Sequence, residues 1–203
     1  MSTNINNNGF DYVDLGLPSG TLWATMNVGA SNPTDYGLYF QWGDTQGYAK
    51  DQVGKDKQFN WDEYKWNPSR EREAIAKYEL IGTTLDLEDD AAHVHMGGGW
   101  HMPSPDQIRE LIDNTTSEWT KQNGVIGSLF TSNKDASKSV FIPAAGFACN
   151  GSISNSGYDG NVWGSMLSSY YVSYGQSLHF SLGNAYIDSY ANYYGHSVRG
   201  VIG

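Results

Sequence analysis

Ser177-Leu178-His179-Phe180-Ser181-Leu182-Gly183-Asn184-Ala185-Tyr186-Ile187-Asp188 decides how this chain is read. Apolar and polar residues alternate from Ser177 to Leu182 and again from Ala185 to Asp188, the period of a strand with one buried face. Gly183-Asn184 between them is a two-residue turn signal. Pairing across that turn sets Leu182 opposite Ala185, Ser181 opposite Tyr186, Phe180 opposite Ile187 and His179 opposite Asp188, each pair on one face. Leu178, Phe180, Leu182, Ala185 and Ile187 then point to the core. Ser177, His179, Ser181, Tyr186 and Asp188 point outward. Ser189-Tyr190-Ala191-Asn192-Tyr193-Tyr194 follows and is too polar for core.

The hairpin lies in an unusual tail. After Lys138 the only side chains ionised at neutral pH are Asp159, Asp188 and Arg199, yet the same stretch holds eight of the fourteen tyrosines. Tyr offers large contact area at low entropic cost, and Ser, Gly and Asn offer adaptable hydrogen bonds, so this composition suits a recognition surface. The whole chain of 203 residues carries 22 acidic against 12 basic side chains, a formal charge of −10. A nucleic-acid partner is not expected, because a phosphate backbone calls for a basic surface. The aromatic content of 14% excludes an acidic disordered chain.

Upstream, short strands alternate with glycine-rich turns. Tyr12–Leu15, Thr21–Ala24, Gly37–Trp42 and Ser139–Pro143 read as strands, with a turn at Leu17-Pro18-Ser19-Gly20. The clearest helix starts at Ser104-Pro105-Asp106-Gln107. Ser104 caps it, Pro105 suits the first position, and Gln107 completes a capping box. Ile108, Leu111 and Ile112 share a face, and Asn114 is the stop. Asn67–Leu80 holds a weaker helical pattern around Glu71–Tyr78, or equally a long surface loop. Gly97-Gly98-Gly99 suggests close backbone packing beside Trp100. Residues 1–10 read as a polar lead-in, and 11–203 as a single domain with no charged or Pro-rich linker.

Signals for chemistry are sparse. Cys149 is the only cysteine, so no internal disulfide or cysteine-based zinc cluster can form. No basic residue neighbours it in sequence to lower its pKa, and a structural thiol is expected. His93-x-His95 on a strand, with His101 nearby and Glu88, Asp89 or Asp90 as third ligand, is a weak zinc pattern. The acidic run Asp86–Asp90 lacks the spacing of a calcium loop and reads as a solvated turn. No Gly-x-Ser-x-Gly elbow, P-loop or dinucleotide fingerprint occurs. The expectation is therefore no enzyme, no metal and no cofactor. No apolar run of membrane-spanning length occurs, and Met1–Asn8 lacks the basic and apolar parts of a signal peptide.

Several motifs occur together and in order. They are Tyr12-Val13-Asp14-Leu15-Gly16-Leu17-Pro18-Ser19-Gly20-Thr21-Leu22-Trp23-Ala24, Asn27-Val28-Gly29-Ala30, Tyr39-Phe40-Gln41-Trp42-Gly43-Asp44 and Asp89-Asp90-Ala91-Ala92. Gly98-Gly99-Trp100-His101-Met102-Pro103-Ser104, Phe141-Ile142-Pro143-Ala144-Ala145-Gly146 and Gly195-His196-Ser197-Val198-Arg199 follow. From about residue 11 to the C-terminus this set resembles the Fibrobacter-type major paralogous domain of gut Bacteroidetes and their phages. The resemblance implies an α+β, C-type lectin-like fold of the formylglycine-generating-enzyme branch, with short twisted β-sheets, few helices and long ordered loops. It also implies a C-terminal variable region, about 150–203, diversified by a retroelement that randomises adenines, so that Asn codons become Tyr, Ser, Asp, His, Gly or Ala codons.

Two departures from related activities stand out. The lone Cys149 does not match the cysteine chemistry of the formylglycine-generating enzymes. Neither Glu-Pro-Asn nor Gln-Pro-Asp, the sugar-binding calcium tripeptides, occurs. The resulting expectation is a monomeric binding protein on a cell surface or phage particle, with a protein or glycan ligand on another cell or particle. Tyr171, Tyr174, Tyr186, Tyr190, Tyr193 and Tyr194 would supply contact area. Ser173, Ser177, His179, Ser181, Asp188, Ser189, Asn192 and His196 would tune hydrogen bonding. Trp23, Trp42, Trp100 and Trp163 would fix the platform.

Overall fold

The computed structural model describes residues 4–67, 69 and 76–203. Strands β1 (Asn4–Asn7), β2 (Phe10–Asp14) and β3 (Leu22–Ala24) come first, then a long stretch of turns and short 3-10 segments. Helices α1 (Ala91–Met96) and α2 (Pro105–Asn114) follow. The strands β4 (Thr115–Gln122), β5 (Val125–Ser132), β6 (Ser139–Pro143), β7 (Phe147–Cys149), β8 (Ser152–Ser154), β9 (Asp159–Leu167), β10 (Tyr174–Ser181), β11 (Asn184–Ala191) and β12 (Val201–Ile202) complete the chain. The architecture is α+β, mostly short antiparallel sheets with few helices.

Four sheets are present among the described residues: β1-β2-β3-β12, β11-β10-β9, β4-β5-β6 and β7-β8. β12 pairs with β3, so the C-terminal end of the chain is stitched to its N-terminal sheet. The β1–β2, β4–β5 and β7–β8 hairpins turn on Asn8-Gly9, Asn123-Gly124 and Asn150-Gly151, all at positive φ, the chemistry a type I′ turn demands. Asn4–Asn7 therefore belong to a sheet, which corrects the reading of residues 1–10 as a lead-in outside the fold.

α2 forms as its sequence dictates. Ser104 Oγ accepts from Gln107 N, Gln107 Oε1 accepts from Ser104 N, and Pro105 opens the helix. Its buried face, Ile108 and Leu111, packs with Phe130, Ile142, Leu178 and Phe180 in one core cluster. A second cluster is built on Trp42, Trp100 and Trp163, all fully buried. The indole nitrogens of Trp42 and Trp163 donate to the carbonyls of Gly164 and Phe40 at 3.0 and 2.8 Å, so their burial strands no donor. Trp23, also fully buried, joins the first cluster.

Three further expectations are corrected. Gly37–Trp42 is not a strand. Tyr39 bridges Tyr48 and Phe40 bridges His196, so the segment's backbone bonds go to different partners and no ladder extends. His93 and His95 lie on α1, whose start is set by Asp90 Oδ1 accepting from His93 N. Two residues apart on a helix, they diverge instead of sharing a strand face. Finally, the last hairpin turns on Leu182-Gly183, with Ser181 opposite Asn184. Gly183 sits at φ +81°, a conformation glycine tolerates, and Leu182 is left 73% exposed at the tip. The helical pattern over Glu71–Tyr78 falls largely outside the described residues.

Candidate functional site

The slipped turn moves the register by two residues, so parity survives. Leu178 pairs with Ile187, Phe180 with Ala185, and these sit in the α2 cluster. His179 pairs with Tyr186, and Ser177 with Asp188, on the other face. That other face is only partly open. Ser173, Ser177, His179, Asn192 and His196 are buried, which corrects their outward assignment.

The reason is the path of residues 192–199. The chain threads back through the molecule instead of leaving it. Trp42 N donates to Asn192 O, Phe40 N and His196 N exchange bonds, Gly195 pairs with Ala148, and Trp163 N donates to Ser197 O. Small polar side chains inside this weave find partners. Ser177 Oγ donates to Val162 O at 2.9 Å and lies 3.2 Å from His196 Nδ1. Because the hydroxyl hydrogen is directed to Val162, the imidazole Nδ1–H donates to Ser177 Oγ. The His196 ring stacks on Trp163 with centroids 3.9 Å apart, and burial holds its pKa well below the ordinary value. Ser177 and His196 together resemble a nucleophile and base, but both are enclosed, so no substrate reaches them. Asn192 Nδ2 donates to Val172 O.

Arg199, the tail's one cation, is also fully buried. Its Nε donates to Asn27 Oδ1, and its Nη1 approaches the carbonyls of Ala24, Thr25 and Phe141 at 3.0–3.2 Å. Burial pushes its pKa down to about 9.

Exposed or half-exposed tail residues form the surface that remains. Tyr171 and Tyr186 are exposed, while Tyr174, Ser181, Asp188, Ser189, Tyr190, Tyr193 and Tyr194 are half-buried. Tyr174 and Ser189 share the parity of Leu178 rather than that of Tyr186. Tyr158 and Tyr170, not singled out from the sequence, are more exposed than any of these. The signal was present: Ser168-Ser169-Tyr170-Tyr171 has no apolar alternation to bury.

A cleft of about 380 Å³ opens among Trp61, Tyr174, Tyr190, Tyr193 and Tyr194, with Ser189 and Ala191 completing its wall. Trp61 comes from a 3-10 turn, Trp61–Glu63, capped by Asn60 Oδ1 accepting from Glu63 N. No sequence signal linked it to the tail. Its ring meets Tyr193 at 5.0 Å, Tyr193 meets Tyr194 at 4.9 Å, and Tyr194 lies 6.3 Å from Tyr190. Phe147 stacks flat on Tyr194. Burial raises the pKa of Tyr190, Tyr193 and Tyr194, so the wall stays uncharged at neutral pH. Burial likewise pushes up the thiol of Cys149, beside Tyr193 and Tyr194, which makes it a poor nucleophile.

Tyr190 is held by a polar chain. Asn161 Nδ2 donates to Asp159 Oδ1 at 2.9 Å, which turns Asn161 Oδ1 toward His179 Nδ1 at 3.0 Å. Nδ1 therefore carries the hydrogen, shared with the Tyr190 hydroxyl at 2.9 Å.

The weak metal patterns do not converge as expected. His93 Nδ1 and His95 Nε2 each donate to a carbonyl, of Trp100 and Thr45. Asp86, Glu88 and Asp89 do come together, but the Lys77 ammonium lies 2.6–3.1 Å from all three, and Lys65 lies 2.8 Å from Asp89. Burial alone would raise the Asp89 pKa, and the two lysines with the Tyr78 hydroxyl reverse the sign and lower it. A separate apolar cavity of about 460 Å³, lined by Val13, Met26, Leu129, Val140 and Phe141 among others, includes no residue of the 150–203 region. No helix among the described residues is long and apolar enough to cross a membrane. Comparison with protein-family models, curated proteins and solved structures gave no match to this chain.

Proposed function

We propose that the chain is a non-catalytic binding protein of C-type lectin-like fold, related to the Fibrobacter-type major paralogous domain, whose tail displays a diversified recognition surface. Its ligand is a protein or glycan on another cell or particle, met at a bacterial or phage surface, and it requires no cofactor. The observation that carries this reading is the division within the tail. Tyr174, Tyr190, Tyr193 and Tyr194 gather around one cleft and Tyr186 lies exposed on the adjoining β-hairpin, while the same sheet anchors Leu178, Phe180 and Trp163 in the cores. A fixed scaffold with exchangeable aromatic and hydroxyl groups at its rim is how a recognition surface changes specificity without refolding. Short sheets, few helices and long ordered segments among the described residues agree with the proposed fold.

The surface set proposed here is Tyr171, Tyr174, Ser181, Tyr186, Asp188, Ser189, Tyr190, Tyr193 and Tyr194, joined by Tyr158, Tyr170 and Trp61. Sequencing the DNA around the gene tests the diversification. The proposal expects a near-copy of the codons for the tail, with Asn codons at surface positions, beside a reverse transcriptase. A locus with no such copy leaves a plain structural module and overturns diversification.

A further inference from the structure

We infer that the aromatic cleft seats a cationic side chain, an arginine or lysine presented by a partner protein. This deepens the proposed binding role and rests on it. The walls are π-faces: Trp61, Tyr174, Tyr190, Tyr193 and Tyr194 surround about 380 Å³, and no Lys or Arg is among the described residues that line it. A cation over Trp or Tyr faces is attracted by the ring quadrupole, most strongly where water is partly excluded.

The surroundings are acceptor-rich. Gln41 Nε2 donates to the carbonyls of Tyr193 and Asn60, which fixes its amide and leaves Oε1 enclosed without a donor. Asn192, between Ala191 and Tyr193 of the wall, donates through Nδ2 to Val172 O and likewise leaves Oδ1 without a donor. Both oxygens are shut off from solvent, so they act through their field and not by contact. Asp62 and Glu63 follow Trp61 on the same exposed turn, and Asp188 raises the Tyr190 pKa through its charge. The tail's only cation, Arg199, is consumed inside the fold. The chain as a whole carries −10. Each feature favours a positive guest and disfavours a carboxylate or phosphate.

The test titrates the full chain with N-acetyl-arginine amide and with tetramethylammonium, with N-acetyl-leucine amide and methyl α-glucopyranoside as neutral comparisons. The Trp61 indole N–H resonance, assigned by its loss in Trp61→Phe, reports occupancy. Saturable shifts with both cations, weakened by added salt and at least several-fold weaker in Tyr190→Leu and Tyr193→Leu, which keep the Trp61 reporter, are expected. Circular dichroism of the variants shows whether they remain folded. Equal or tighter binding of the glucoside or the leucine amide, or no saturable shift with either cation, overturns the inference. That failure is separate from failure of the diversified-surface reading, which is read from the retroelement template in the DNA.

Discussion

Phe180 and Leu182 occupy equivalent positions in the alternating pattern, yet truncating them should have unequal consequences. Phe180 is fully buried on β10, held between β9 and β11. Its ring lies edge-on to Phe130 at 5.9 Å, with Trp119 at 6.5 Å. It covers Gly160, where an added Cβ would come 2.0 Å from the ring. Strands on both sides prevent collapse, so Phe180→Ala leaves a cavity and costs about 4–5 kcal/mol, the upper part of the range for this change. For a chain of this size that lowers Tm by roughly 8–20 °C. Leu182 sits at the turn tip in solvent, and Leu182→Ala should cost under about 0.5 kcal/mol. Urea unfolding followed by tryptophan fluorescence measures both. A cost above about 1.5 kcal/mol for Leu182→Ala, or below that for Phe180→Ala, refutes the turn and register together.

Ser177→Tyr should destabilise by at least about 2 kcal/mol, because Ser177 is enclosed and a phenol cannot fit without strain. Tyr171→Ser and Tyr186→Ser should each stay within roughly 0.5 kcal/mol of the parent in the same urea assay. Arg199→Met should cost about 3 kcal/mol or more, since it strands the acceptors Asn27 Oδ1 and the Ala24 and Phe141 carbonyls; thermal unfolding of the variant reads this directly. The His196 imidazole is kept neutral by burial, while in the unfolded chain it takes a proton near pH 6.5. The unfolded state then binds more protons, so stability falls as pH drops below 6.5, by at most about 1.4 kcal/mol per pH unit. Urea midpoints between pH 7 and 5 should show that slope diminished in His196→Gln.

Local rules made some elements legible. The α2 capping box and its apolar stripe are written within one turn of sequence, and strand parity in the tail follows from period two alone. The turn position was misread because Gly183-Asn184 and Leu182-Gly183 both satisfy a two-residue hairpin. Placing Gly183 second lets it take positive φ and releases Leu182 from the core. Asn123-Gly124, between β4 and β5, is an equally local hairpin signal, with both residues at positive φ. The cleft was half legible. Its tyrosines stood out in an uncharged tail, but Trp61 arrives by a tertiary path that no local pattern encodes. Nor does a composition of Ser, Asn and His distinguish an open surface from a buried polar weave. Ser177, Asn192 and His196 are enclosed because residues 192–199 return between residues 39–42 and the sheet.

The most direct test is the distribution of amino-acid replacements among natural copies of this gene, obtained by deep sequencing of its 3′ region in a population. The account predicts that variation concentrates at Tyr171, Ser181, Tyr186, Asp188, Tyr190 and Tyr193, and is nearly absent at Ser173, Ser177, Asn192, His196 and Phe180. Replacements spread as freely over the enclosed positions as over the open ones would contradict it.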